Sequence, residues 1–340
     1  MFNRVLVPLD GTEVSEGIIP FVRWLASGMK MGVVLARAVD IHHTRDESFD
    51  SALGRILSKL GDGGTKFPFD STADFEPWEL ELVARIEREL KAPLDSIANK
   101  LSQAGISTET IAAYGSASET IIRVAQETGC NLIAMSTRGR SVLTSGLLGS
   151  VTYRVIHESP IPILSITPER ARLHAEDNVD ISNLVVPLDG SEFGETVLSH
   201  AATLARQMSL RVSLLRVTQE QSALFDDNNI ALDEILSGVE PKTTKKVHDY
   251  MEGVAARLRN SGIEVNEVLL GGKVSTEIVN YAQGLEHSMI ALATHGRSGV
   301  SRLLLGSIAE AVIRESGCPV LVIRPAPLAQ EQVTYPQPAT

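Results

Sequence analysis

Two short runs in this chain have the side chains and backbone that could hold an anion. Val7-Pro8-Leu9-Asp10-Gly11-Thr12 returns as Val186-Pro187-Leu188-Asp189-Gly190-Ser191. Met135-Ser136-Thr137-Arg138-Gly139, followed nine residues later by Gly149-Ser150-Val151-Thr152, returns as Leu292-Ala293-Thr294-His295-Gly296 and, again nine residues later, Gly306-Ser307-Ile308-Ala309. An Asp just beyond a strand can accept the hydroxyls of a ribose or sit near a metal ion. Asp-Gly-Thr/Ser is equally the signature of a turn or a helix start. In the second run, glycines let backbone N–H groups approach phosphate oxygens with no Cβ in the way, and a helix opening at Val151 or Ile308 adds its own donors and dipole. Gly-Ser before a helix is also a common cap. Two occurrences at one spacing, each paired with an Asp after a first strand, favour the anion reading. Arg138, Arg140, His295 and Arg297 lie where a polyphosphate would sit and could neutralise it; a solvated loop cation is the plainer alternative.

The elements that must position these runs follow from the repeat. Asp10 to Asp189 and Arg37 to Arg216 are both 179 positions, whereas Gly105 to Gly262, Gly139 to Gly296, Gly149 to Gly306 and Pro162 to Pro319 are all 157. The 22-residue difference is extra sequence in the first copy, between Arg37 and Gly105. Each copy has the length of one domain, and the period is far too long for a solenoid. Val5–Val7, Val33–Leu35, Ile106–Ile111, Leu132–Met135 and Ile163–Ile166 read as strands, answered by Leu184–Val186, Val212–Leu215, Ile263–Leu269, Met289–Leu292 and Val320–Ile323. Apolar runs with little alternation suit strands buried on both faces of a parallel sheet. Between them, Ile18, Val22 and Leu25 mark a helical stripe matched by Val197, Ala201 and Leu204. Ile121, Ile122 and Ala125, matched by Ile278, Val279 and Ala282, follow expected N-caps at Ser118 and Ser275. The βαβαβαβαβ order with right-handed crossovers predicts two tandem doubly wound α/β domains. We expect a first domain over 1–168, a linker over 169–182, a second domain over 183–325 and a disordered tail over 326–340, rich in proline. The extra sequence, within 41–92, combines Gly61-Asp62-Gly63-Gly64 and Phe67-Pro68-Phe69 with a helical run from about Glu79 carrying Leu82, Ile86 and Leu90; its Gly/Pro-rich half reads as a long flap over a domain edge.

Composition narrows the classes. The 340 residues are 43% hydrophobic and 21% charged, ample for two cores. A net charge of -11 opposes capture by nucleic acid or anionic lipid. No run approaches the length of a membrane-spanning helix, and Met1-Phe2-Asn3-Arg4 leads into Val5 without an apolar leader, so a cytoplasmic protein is expected. Cys130 and Cys318 sit at non-equivalent positions outside any CxxC pair and read as small buried hydrophobes. His42-His43 with Asp46 lacks the spacing of a metal site, and no metal site is expected. His200, with Phe21 at the equivalent position, reads as structural.

The VPLDG(S/T)E opening, the (S/T)(R/H)GR loop and the LLGS(V/I) helix start together resemble the universal stress protein family in its tandem form, over about 290 of the 340 residues. The resemblance implies a five-stranded parallel sheet with helices on both sides in each domain, packed as a pseudo-dimer in which strand five of each unit pairs across the axis, here Ile163–Ile166 with Val320–Ile323. It also implies ATP or a related adenine nucleotide, with Mg2+ as accompanying cation, held by a G-x-x-G-x9-G-(S/T) motif, the Asp after strand one and a hydrophobic residue ending strand two. Carried over by position, these are Asp10, Ala38, Gly139, Gly149, Ser150, Val151 and Thr152, then Asp189, Val217, Gly296, Gly306, Ser307 and Ile308. The strand-end residues Pro8, Leu9, Met135, Pro187, Leu188 and Leu292 complete the expected surface. Both copies depart from the motif at its first glycine, which is Ser136 and Ala293. Ala309 lacks the hydroxyl that Thr152 would offer a phosphate, and Val217 offers an adenine more surface than Ala38.

The leading function is a stress-response module whose conformation or partners change with nucleotide occupancy, and two such chains could pair further. A slow ATPase or adenylate-transferring enzyme is a second class; no P-loop, pyrophosphatase loop or acid–base pair speaks for it. A nucleotide-free interaction protein is the third, favoured by the altered first glycines and opposed by the retained Gly-Ser pairs.

Overall fold

The computed structural model describes residues 2–39, 76–137, 148–168, 179–218, 242–294 and 305–324. The Gly/Pro-rich part of the expected flap with His42, His43 and Asp46, most of the expected linker, and the tail lie outside the described residues.

The first half contains β1 (Arg4–Pro8), α1 (Glu13–Glu16), α2 (Ile19–Met29), β2 (Gly32–Val39), α3 (Pro77–Gln103), β3 (Thr108–Tyr114), α4 (Ala117–Glu127), β4 (Leu132–Ser136), α5 (Ser150–Glu158) and β5 (Ile163–Ile166). The second repeats it as β6 (Asn183–Pro187), α6 (Glu192–Glu195), α7 (Val197–Met208), β7 (Arg211–Thr218), α8 (Lys242–Arg259), β8 (Val265–Gly271), α9 (Val274–Gly284), β9 (Ser288–Ala293), α10 (Ser307–Glu315) and β10 (Val320–Ile323). All ten expected strands are present. The outer strands β3 and β8 begin two residues later than the apolar runs suggested, because Ile106 and Ile263 belong to the turns that return from α3 and α8.

Two expectations at helix starts are corrected. Ser118 and Ser275 do not cap α4 and α9; they lie inside the first turn, buried, and the cap positions are Ser116 and Lys273. With two serines near the first helix start, only backbone geometry says which one precedes it. The helical run expected from about Glu79 within the extra sequence lies in α3, which spans Pro77–Gln103. Its start carries a capping box, with Glu79 accepting from the Glu76 N–H at 2.8 Å.

Within each half the strands are parallel, in the order β3-β2-β1-β4-β5 and β8-β7-β6-β9-β10. The halves join into one ten-stranded sheet through β5 and β10, which are antiparallel. Val320 pairs with Ser165, Leu321 with Leu164, and Val322 with Ile163. Exchanging each residue for its equivalent 157 positions away turns the first pair into the third and leaves Leu164–Leu321 unchanged. A local two-fold axis therefore passes at Leu164–Leu321, as duplicated domains that reproduce a homodimer require.

Alternation along the strands sends side chains into two cores. Val5, Val7, Leu35, Leu164 and Leu321 join the core under α2, α3, α7 and α8, while Leu6, Val34, Ile163 and Val320 join the one under α4, α5, α9 and α10. Both cores run across the two halves. The end of the expected linker takes part, since Val179 and Ile181 are buried in the first core. Near the axis α2 packs on α7 so closely that a Cβ on Gly28 would fall 2.4 Å from Met208 Sδ.

His200 on α7 meets Phe2 of the other half, with ring centroids 5.5 Å apart. Burial there lowers its pKa below the ordinary value. A histidine with a depressed folded-state pKa leaves the unfolded chain binding more protons as pH falls past about 6.5, so its contribution to stability declines on acidification. His200→Phe, which installs the residue found at position 21, is expected to flatten the fall in denaturant midpoint between about pH 7 and pH 5. An unchanged slope would place the acid sensitivity elsewhere.

Candidate functional site

The strand order reverses between β1 and β4, and between β6 and β9: the chain leaves β1 toward one side of the sheet and β4 toward the other. Such switch points open a crevice at the carboxyl ends of the two strands. Here β1 ends at Pro8 and runs through Leu9 into Asp10, while β4 ends at Ser136 and its chain returns as Gly149-Ser150 at the start of α5. The second half does the same with Pro187, Leu188 and Asp189 and with Ala293, Gly306 and Ser307. Because β5 and β10 are antiparallel, the two crevices open on opposite edges of the sheet.

The Asp turns are alike in both halves. Asp10 Oδ1 accepts from the Thr12 N–H at 3.0 Å and the Thr12 hydroxyl at 2.6 Å; Asp189 Oδ1 accepts from Ser191 at the same two distances. Thr12 and Ser191 in turn cap α1 and α6, accepting from Ser15 and Gly194 N–H. Gly11 and Gly190, at φ +81° and +78°, supply the left-handed residue the turn requires. Each Asp thus braces the turn with one oxygen, which is the turn role weighed above.

The Gly-Ser helix starts are also alike. Gly149 N–H donates to Thr137 O at 2.8 Å, and Gly306 N–H to Thr294 O at 3.0 Å, tying each helix start to the end of its preceding strand. Gly306 has an ordinary φ of -62°, so no special conformation requires glycine there. The requirement is steric, since a Cβ would stand 2.8 Å from the Thr294 carbonyl oxygen. Ser150, Ser307 and Ile308 are exposed and Val151 is half-buried. The N–H groups of this first turn have no acceptor within the helix. Thr152 faces inward: its hydroxyl is buried and donates to Ser136 O at 3.1 Å, tying α5 to β4.

Leu9, Met135, Leu188, Val217 and Leu292 are buried, and Pro8, Ala38, Pro187 and Ala293 are half-buried. Ala38 pairs with Ala113 and Val217 with Leu270 at the ends of β2 and β7, one strand from each Asp turn. Arg138, Gly139, Arg140, His295, Gly296 and Arg297 lie outside the described residues. Among the described residues no group of His, Cys, Asp and Glu is arranged to hold a metal ion, and no helix is long and apolar enough to cross a membrane.

Three features beside the Asp turns were not singled out from sequence. Arg216 is buried and its Nη1 donates to Leu188 O at 3.0 Å. Arg37, at the equivalent place, lies so that a Cβ on Gly11 would meet its guanidinium at 3.4–3.6 Å. Tyr250 of α8 has its hydroxyl buried near Asp189, Glu195 and Arg216; burial first, then the carboxylate of Glu195, pushes its pKa well above the ordinary value. The available signal was a cation inside the apolar runs Val33–Val39 and Val212–Val217, recurring at the repeat offset.

A tandem pair of doubly wound units, each with an Asp turn and a Gly-Ser helix start at its switch point, defines a class of duplicated parallel α/β proteins. The universal stress protein family matches residues 65–166 and 181–324, well over half of the chain. The chain belongs to that family. Universal stress protein Slr1230 of Synechocystis sp. is 23% identical over 335 residues, spanning 95% of this chain and 100% of that protein. Universal stress protein MJ0531 of Methanocaldococcus jannaschii is 28% identical over 144 residues, 42% of this chain and 81% of that one. Among solved structures, a universal stress protein from Archaeoglobus fulgidus DSM 4304 superposes with a TM-score of 0.64 at 20% identity, over 95% of this chain and 98% of that one, a likeness of fold.

Proposed function

We propose that the chain binds adenine nucleotide, ATP or a close relative with Mg2+ on its phosphates, in the crevices at its two switch points, and acts in a stress response by changing conformation or partners with occupancy. The observation that carries this reading is the repeated juxtaposition of a braced Asp turn after β1 and β6 with an exposed Gly-Ser helix start after β4 and β9. In this reading Asp10 and Asp189 face the ribose, Ala38 and Val217 the base, and the N–H groups of Ser150, Val151, Ser307 and Ile308 the phosphates. The domain limits given above, a cytoplasmic location and further pairing of two chains belong to the same proposal. The two unpaired cysteines fit a reducing compartment.

A second reading, a nucleotide-free interaction protein, draws support from Gly306. Its closeness to Thr294 O accounts for the glycine without a ligand, and Ser136 and Ala293 replace the glycine of the family motif. Denaturing purified protein and counting released nucleotide, before and after incubation with Mg-ATP, separates the two. One or two equivalents of adenine nucleotide are expected, and the ATP to ADP ratio over time reports any hydrolysis. No nucleotide under either condition rejects the binding reading in favour of the second.

A further inference from the structure

We propose that Arg37 and Arg216 are positioning residues that hold the Asp turns in the geometry a ligand meets, and that the turn of the second half depends on its arginine more than that of the first. This rests on the nucleotide reading above and adds to it which buried residues set each site.

Alternation along β2 and β7 places both arginines on the face opposite α5 and α10. Val33 and Leu35 on the one strand, and Val212 and Leu214 on the other, share the core beneath α2, α3, α7 and α8, and Arg37 and Arg216 continue those two rows. From there each guanidinium reaches the underside of the Asp-Gly turn. Arg216 donates to the carbonyl of Leu188, the residue before Asp189, and Arg37 lies against Gly11, the residue after Asp10. A cation enclosed in a strand is costly unless its donors are used, so an Arg at the same offset in both halves implies a shared task. The planar fork of a guanidinium can hold a turn at more than one point.

The cover over each arginine differs. In the second half α8 brings Tyr250, whose buried hydroxyl feels Glu195, Asp189 and Arg216, and Arg257, which pairs with Glu195 at 2.8 Å. In the first half the position 157 residues before Tyr250 is Pro93, exposed and without a hydroxyl. Accordingly Arg216 is buried and Arg37 only half so. The neighbour on the Asp side differs too: Gly194 leaves room for the Asp189 carboxylate, whose Oδ1 would stand 2.5 Å from a Cβ there. In the first half Ser15 fills that place and accepts from Asp10 N–H at 3.3 Å. A turn held in advance spends less binding free energy on ordering.

Full-length proteins that each keep one intact Asp isolate the halves: Asp10→Ala leaves the second site to report, Asp189→Ala the first. Mg-ATP affinity is measured by calorimetry in each, with the Arg exchanges added and Tm recorded. In the Asp10→Ala protein, Arg216→Met is expected to weaken Mg-ATP by about tenfold or more and Arg216→Lys by about threefold or less. In the Asp189→Ala protein, Arg37→Met is expected to weaken it by a smaller factor, about threefold. Undiminished affinity in Arg216→Met overturns the inference. So does equal loss in the Met and Lys variants with a matching fall in Tm, which would make Arg216 a fold residue only. Should Arg216→Met not fold, the half-exposed Arg37 carries the same comparison of Met with Lys. Absence of Mg-ATP binding in both parent proteins rejects the nucleotide reading and this inference together, a result distinct from binding that ignores the arginines.

Discussion

Gly306→Val is expected to remove Mg-ATP binding from the second half and to lower Tm at the same time. The Cβ of any larger residue would stand 2.8 Å from the Thr294 carbonyl oxygen, well inside the roughly 3.3–3.6 Å at which carbon and a carbonyl oxygen rest. Since Gly306 N–H also donates to that same oxygen, the strain cannot be relieved without breaking this hydrogen bond between the start of α10 and the end of β9. The start of α10 then moves away from β9, and the first-turn N–H groups no longer face the crevice. A cost of about 1–3 kcal/mol in stability is reasonable for a local steric conflict of this kind. If that cost appears while Mg-ATP binding is undisturbed, the glycine serves only the packing of the helix start on β9 and the anion role of the helix start is wrong. Equilibrium denaturation and calorimetry on one preparation give both answers.

The second large effect is expected at the axis. Leu164 and Leu321 are each 2% exposed and pair with each other where the two halves meet. Leu164→Ala and Leu321→Ala should each cost about 2–5 kcal/mol, the usual range for emptying a packed leucine site. Because they share one contact, the double variant should lose less than the two single losses together. The core containing both leucines runs without a break from Val5 to Met289, so unfolding should stay a single transition for both halves in the parent protein. Additive losses, or two separate transitions in the parent, would show that the halves are stabilised independently.

Much of the fold was legible because the same message is written twice. A single apolar run such as Val5-Leu6-Val7 is ambiguous between strand and buried helix, but ten runs in matching order at two fixed offsets leave little freedom. The last strand of each half was located to the residue, its apolar run recurring 157 positions on. Starts of the outer strands and of α4 and α9 were less legible, because Ile106, Ser118 and Ser275 fit either side of a boundary that only backbone hydrogen bonds decide. At the candidate site, the positions of Asp10, Asp189, Gly149 and Gly306 could be read from spacing. The use of Thr152 could not: a hydroxyl at a helix start can turn outward to a ligand or inward to Ser136 O, and the sequence is the same in both cases. Arg37 and Arg216 were visible as paired cations in apolar strands, yet nothing local says that they reach the Asp turn one strand away.

The sequence by itself determined that there are two equivalent units, which strands and helices compose them, and which residues end the strands beside each crevice. These follow from short-range periodicity and from comparing the chain with itself. The resemblance of motifs implied that the fifth strands pair. Only the tertiary structure decided their register, the axis at Leu164–Leu321, and therefore the opening of the two crevices on opposite edges of one sheet. It alone also placed Tyr250 over Arg216 and left Pro93 exposed in the first half. Contacts of this kind join residues far apart in the chain, and periodicity states which face a side chain takes without naming the neighbour it meets there.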